Sequence, residues 1–190
     1  MKSDLKFFKK KKSLPVDRFL YNVLYDKRFG YYSNRIPFGE KGDFITSPTI
    51  SNLFSELISI WIISTWEKFG KPNKINIVEL GPGDGSLIKI LLSISEKFPE
   101  FNSAKNIFLY ETSANLKKIQ KKNIKNNKIR WIKNFNSLTD APVIFFGNEF
   151  FDAIPIKQFK SIQTKLYEKN YFINGKYEIK EILKKANKQD

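Results

Sequence analysis

Cysteine and histidine are both absent from this 190-residue chain. Without cysteine there is neither a disulfide framework nor a thiolate zinc site. Without histidine, Ser-His triads, imidazole bases and histidine metal sites drop out too, so no metal centre is expected. Long apolar runs are also missing. The longest, around Ile58–Ile63, falls far short of the ~20 residues that span a bilayer, and belongs to an amphipathic helix. Arginine is scarce, Arg18, Arg28, Arg35 and Arg130 being all there is, so the net charge of +15 rests almost wholly on lysine. A basic chain raises the question of nucleic acid. Lys9–Lys12, Lys117–Lys118 and Lys121–Lys122 read instead as solvated faces in a chain rich in Lys, Asn, Ile and Phe, and nucleic acid is not expected as a partner. The basic N-terminus is followed by no apolar signal core, and Asp4 and Asp17 argue against a transit peptide, so the expected location is the cytoplasm.

What is present suits a globular domain. Hydrophobic residues make up 41% and aromatics 15%, enough apolar surface to build a core. Val16–Leu24 has helical spacing that Asp26–Gly30 breaks. Ser47 before Pro48 reads as an N-cap and first helical residue, and Ile50, Leu53, Phe54, Leu57, Ile58, Trp61 and Ile62 then mark the expected buried face. Strands are expected at 75–80, Ile107–Tyr110, Ile129–Ile132 and Val143–Phe146, separated by helical patterns. Alternating strands and helices imply a parallel sheet with right-handed crossovers. Near the end, Asn174-Gly175 between two strand-like runs predicts a type I′ hairpin.

The densest signal is Ile75-Asn-Ile-Val-Glu79-Leu-Gly81-Pro-Gly83-Asp-Gly85-Ser86. An apolar strand runs into a glycine turn, and a helix pattern follows at once. Alternate glycines let backbone turn sharply and approach a ligand, which then meets the positive end of the helix. Such sites lie at the carboxyl end of a parallel strand. A phosphate-binding P-loop needs Gly-Lys-Ser/Thr, and no lysine follows Gly85. The dinucleotide fingerprint spaces its third glycine differently. Glu79 would repel a pyrophosphate, whereas a carboxylate there suits a cation such as the ammonium and sulfonium groups of S-adenosyl-L-methionine (SAM). The acid-x-Gly-x-Gly-x-Gly order resembles the first motif of class I SAM-dependent methyltransferases.

Two further acidic positions stand at strand ends. Glu111 closes the second strand, where a carboxylate can accept from both ribose hydroxyls; the alternative is a solvated strand-end acid. Asn148-Glu149-Phe150-Phe151-Asp152 follows the fourth strand, where a methyl acceptor would lie. The Asn148 carbonyl can accept from a target nitrogen, and Glu149 and Asp152 can hold a guanidinium and receive its proton. Alternatively, Asp152 caps a helix.

Several segments together resemble the MidA family, SAM-dependent methyltransferases related to the mitochondrial complex I assembly factor. They are Leu24-Tyr25-Asp26 with Gly30-Tyr31-Tyr32, residues 42–48 (Gly-Asp-Phe-Ile-Thr-Ser-Pro), Leu53-Phe-Ser-Glu-Leu57, residues 79–85, Glu111-Thr-Ser113 and residues 148–155 (Asn-Glu-Phe-Phe-Asp-Ala-Ile-Pro). They occur in family order over roughly residues 15–160. The resemblance implies a Rossmann-like class I methyltransferase fold, SAM as cofactor, and methylation of protein arginine, with a complex I subunit as substrate in mitochondrial members. Gly81, Gly83 and Gly85 would admit the methionine end of SAM, Glu79 would face its positive groups and Glu111 would hold the ribose. From the resemblance alone, Asp43, Thr46 and Ser47 would close over the cofactor.

The expected organisation is an N-terminal helical extension (1–74), a partial SAM-binding core (75–160), and a hairpin with a polar tail (161–190). Family members run longer, with further strands after the hairpin, so the chain reads as an N-terminal portion of the family pattern. The strand at 143–146 is then expected to present an open edge prone to self-association. The rival functional reading is a non-catalytic assembly protein that keeps the fold.

Overall fold

The computed structural model describes residues 13–34, 51–126 and 128–187. The chain divides into two compact units, residues 36–151 and residues 1–35 with 152–190.

The first of these holds a parallel sheet, built as the alternating pattern requires. Strands β2 (Ile75–Leu80), β3 (Lys105–Tyr110), β4 (Arg130–Ile132) and β5 (Val143–Phe146) pair in the order β4-β3-β2-β5. All three pairings are parallel, with Ile77 opposite both Ile107 and Ile144. The chain starts in the middle at β2, steps outward twice, then returns to β2's other side. That reversal is the switch point at which open α/β sheets bind ligands.

β2 is buried on both faces, so it reads as an unbroken apolar run. Ile75 and Ile77 enter one core with Ile107, Leu109 and Ile144. Val78 enters a smaller one with Phe108 and Ile132. By the two-residue period Glu79 shares its face with Ile75 and Ile77. One polar exception besides Glu79 is Asn76, fully buried, whose Nδ2 donates to the Thr139 carbonyl at 2.8 Å and whose Oδ1 accepts from the Thr139 hydroxyl at 2.6 Å. This pins the approach to β5 onto β2.

The larger core is closed by helices. In this unit α3 spans Asn52–Lys68, α4 Ser86–Ser95, α5 Pro99–Ala104 and α6 Ala114–Ile124. The sequence places the start of α3 at Ser47-Pro48, but its N-cap is Ser51, whose hydroxyl accepts from the Leu53 N–H. Ser47 lies outside the described residues. The buried face differs too. Ser55, Ser59, Ile62, Ile63 and Trp66 are buried, whereas Leu53, Leu57 and Trp61 are exposed. The helix is apolar on nearly every side, so hydrophobic spacing could not choose a face. Two small serines could, by letting the helix approach closely; the Ser59 hydroxyl is satisfied by the Ser55 carbonyl at 2.6 Å. The α5 turn also escaped the sequence reading, although Pro99 supplies the usual proline at a helix start.

In the other unit, α1 (Val16–Tyr25) and the short α2 (Tyr31–Asn34) adjoin an antiparallel sheet. β7 (Lys165–Ile173) pairs with β6 (Phe159–Ile162), with β8 (Ile179–Lys185), and through Tyr171 with Leu14 of β1 (Leu14–Pro15). The expected two-residue hairpin is absent. Ile173 pairs with Ile179, leaving a five-residue loop in which the Asn174 side chain accepts from the Lys176 and Glu178 N–H groups and Tyr177 takes a left-handed φ of +64°. Asn174 thus acts through its side chain, forming an Asx turn and not a type I′ turn.

Candidate functional site

Glu79 is the anomaly at the end of β2. It is only 3% exposed, and its Oε2 has no hydrogen-bond partner among the described residues. Burial, with a smaller contribution from Asp84, pushes its carboxyl up to about 8. A buried carboxylate oxygen left without a donor is destabilising in its charged form unless something supplies positive charge or donors. Protonation meets part of that cost, and a cationic group placed beside Glu79 would meet the rest.

The turn that follows has left-handed backbone at all three glycines, with φ of +62° at Gly81, +55° at Gly83 and +87° at Gly85. At two of them a side chain would also crowd a neighbour. A Cβ on Gly81 would stand 2.8 Å from the Phe150 ring, and one on Gly85 would stand 2.9 Å from Ile124. The sequence reading assigns these glycines to ligand approach; the structure adds that the outer two let the turn pack against Phe150 on one side and α6 on the other. The Gly81 N–H donates to the Tyr110 carbonyl at 3.0 Å, locking the turn to the end of β3. Asp84 accepts from the Ser86 N–H at 3.0 Å and the Ser86 hydroxyl at 2.7 Å, completing the first turn of α4.

Glu111 stands just past β3, nearly buried. Burial raises its pKa, against the opposing donors of Ser113 and Thr112 N–H, the Gln120 amide and nearby Lys117. Oε1 accepts from the Ser113 N–H at 2.7 Å and Oε2 from the Gln120 amide at 3.2 Å. Each oxygen keeps acceptor capacity, which is what a pair of vicinal hydroxyls needs. Ser113 also caps α6, its hydroxyl accepting from the Leu116 N–H.

Sequence reasoning missed Gln120. Its amide donates to the Gly83 carbonyl at 2.8 Å as well as to Glu111, tying the glycine turn to the acid. The available signal was a polar residue in register with Leu116 and Ile124 on the buried face of α6.

The acceptor-side candidates fall into different units. Asn148 and Glu149 follow β5, and Glu149 takes a left-handed φ of +53°. Gly147 runs close against Leu80, and the Phe150 ring stands edge-on to Tyr110 at 6.2 Å. That brings the loop after β5 alongside the glycine turn. Asp152 belongs to the other unit, in a short 3-10 turn (Phe151–Ala153) whose Ala153 carbonyl accepts from the Tyr25 hydroxyl at 2.7 Å. Its charge, with burial as the larger cause, raises the pKa of Tyr32. Asp43, Thr46 and Ser47 lie outside the described residues.

Comparison with known proteins bears on the family and the fold. Residues 57–189 match the model of a family described as S-adenosyl-L-methionine-dependent methyltransferases. The chain is 32% identical to the mitochondrial protein arginine methyltransferase NDUFAF7 homolog of Drosophila melanogaster over 177 residues, 82% of this chain and 40% of that protein. To human NDUFAF7 it is 32% identical over 171 residues, 77% of this chain and 39% of the relative. A crystal structure from Burkholderia thailandensis, bound to S-adenosyl-homocysteine, superposes with a TM-score of 0.81 at 20% identity and covers 98% of this chain and 49% of its own. The chain thus spans about two fifths of the curated relatives it matches. It adopts the class I methyltransferase fold and belongs to the family of S-adenosyl-L-methionine-dependent methyltransferases that includes NDUFAF7.

Proposed function

We propose that the chain binds SAM at the carboxyl ends of β2 and β3 and serves the methylation of protein arginine, a respiratory complex I subunit being the candidate target. The observation that carries the cofactor reading is a Glu79 oxygen without a partner among the described residues, buried beside a glycine turn at a helix start. The residues fit the group. Glu79 would face its ammonium and sulfonium, the turn of Gly81, Gly83 and Gly85 would admit the methionine end, and Glu111 would accept from the ribose hydroxyls. SAM brings the electrophilic methyl carbon; the chain supplies alignment and exclusion of water. Asp43, Thr46 and Ser47 would close over the cofactor.

The acceptor side is assigned to the segment 148–152. The Asn148 carbonyl would orient the target nitrogen, while Glu149 and Asp152 would hold the guanidinium and take up the proton it sheds. The likeness to named arginine methyltransferases supports this assignment. No helix among the described residues is long and apolar enough to cross a membrane. A cytoplasmic place of action remains part of the proposal, since the relatives are named as mitochondrial.

Incubation with methyl-tritiated SAM and arginine-bearing protein should yield labelled methylarginine on acid hydrolysis. Asp152→Ala should lower that yield by about 100-fold or more, the usual scale for a proton-transfer group, while SAM affinity changes less than about twofold. Affinity falling in parallel with yield would make Asp152 structural. SAM binding with no transfer to any arginine would favour the non-catalytic assembly role.

A further inference from the structure

Among the described residues, Gln120 is the largest polar side chain that is completely buried. Its three hydrogen bonds reach three different elements. Nε2 donates to the Gly83 carbonyl in the glycine turn (2.8 Å) and to Glu111 Oε2 beyond β3 (3.2 Å); Oε1 accepts from the Trp131 indole N–H in β4 (2.8 Å). Chemistry fixes the orientation of this amide. An indole N–H can only donate, so the atom facing it must be the oxygen. The carbonyl and the carboxylate can only accept, so both amide protons must point at them. A flipped amide would lose all three bonds inside a dry core. One turn along α6, the Asn123 amide donates to the Asp84 carbonyl at 3.0 Å. Two amides of one helix therefore hold two consecutive carbonyls of the turn.

We propose that Gln120 is a positioning residue for the cofactor. It presets the glycine turn and the Glu111 carboxylate in one rigid constellation, so that the methionine and ribose ends of the ligand meet groups already spaced for them. The inference rests on the SAM reading above. Glu111 is the more informative half. With Ser113 N–H on one oxygen and Gln120 on the other, the carboxylate plane is set and acceptor capacity is left for a hydroxyl. Losing Gln120 frees the carboxylate to rotate and removes a donor that favours its charged form.

Gln120→Met keeps length and apolar packing while removing every hydrogen bond. Its affinity for S-adenosyl-homocysteine should fall about tenfold or more, the scale for loss of a charge-assisted bond. The 2′-deoxy analogue of that ligand lacks one of the hydroxyls Glu111 would bind, so its affinity should fall much less, by about threefold or under. A merely structural role would weaken both ligands equally. In the ligand-free chain, NMR titration of the Glu111 carboxyl should move to higher pH in the variant.

If the Met variant fails to fold, Gln120→Glu carries the test. Its carboxyl faces Glu111, the Gly83 carbonyl and the Trp131 indole, with Lys117 the cation acting on Glu111. At low pH it can donate one proton; as that proton leaves, the two carboxylates repel, so affinity should drop with rising pH more steeply than in the wild type. A wild type that binds while these variants bind equally well, with an unmoved Glu111 titration, overturns this inference alone. A folded wild type that binds no S-adenosyl-homocysteine overturns the cofactor reading and this inference with it.

Discussion

Replacing Glu79 by glutamine should stabilise the ligand-free chain at alkaline pH and weaken its hold on SAM. The carboxyl titrates near 8 in the folded state against an ordinary 4.5. The fold therefore favours the protonated form. Stability from this group is fully present below about 4.5, declines as pH rises, and is lost above about 8. Glutamine mimics the protonated acid at every pH. The melting curves of the two proteins should coincide under acid conditions and separate in alkali, by on the order of a few kcal/mol. Binding reverses the sign. A sulfonium and an ammonium beside Glu79 favour its charged form, so SAM should displace a proton from wild type near neutral pH. Titration calorimetry in two buffers of different ionisation enthalpy reads that proton directly. Glu79→Gln should release none from this site and should bind SAM about tenfold or more weakly. Equal affinity and equal proton release in both proteins would show that Glu79 does not face the ligand.

Valine at Gly85 should remove a large fraction of the stability of the fold. Its φ of +87° is strained for any L residue, and a Cβ would collide with Ile124 Cδ1 at 2.9 Å and Cγ1 at 3.1 Å. Gly85→Val combines left-handed strain of about 1–3 kcal/mol for a β-branched residue with roughly 1–3 kcal/mol of overpacking. Against a typical total of about 5–15 kcal/mol, that is a large fraction. Gly70 separates the two causes. It has a similar φ of +81°, and a Cβ there would meet nothing within 4 Å, so Gly70→Ala measures strain alone. Urea midpoints should fall in the order wild type, Gly70→Ala, Gly85→Ala, Gly85→Val. Equal losses for the two alanine variants would mean that Ile124 yields freely and that α6 does not brace the turn.

The sheet was readable because its strands are short apolar runs bounded by turns, and because right-handed crossovers leave few ways to order them. The turn at 81–85 was readable from its glycines. α3 was harder to read. Leu53, Leu57 and Trp61 obey helical spacing yet face outward, while the small Ser55 and Ser59 lie on the buried side. The same limit hid the hairpin, where Asn174 turns the chain with its side chain and Tyr177 takes the left-handed position. Glu79 and Glu111 were legible as acids out of place at strand ends. Gln120 was not, since only the folded chain brings Gly83, Glu111 and Trp131 to one amide.

SAM and S-adenosyl-homocysteine binding to the 190-residue chain tests the account most directly. Calorimetry should show one site per chain with a dissociation constant on the order of micromolar to submillimolar, the range usual for enzyme ligands. SAM binding should be lost in Gly83→Val, whose branched side chain occupies the ligand's approach. A chain that is folded by circular dichroism yet binds neither molecule would contradict the assignment of the glycine turn, Glu79 and Glu111 as a cofactor site.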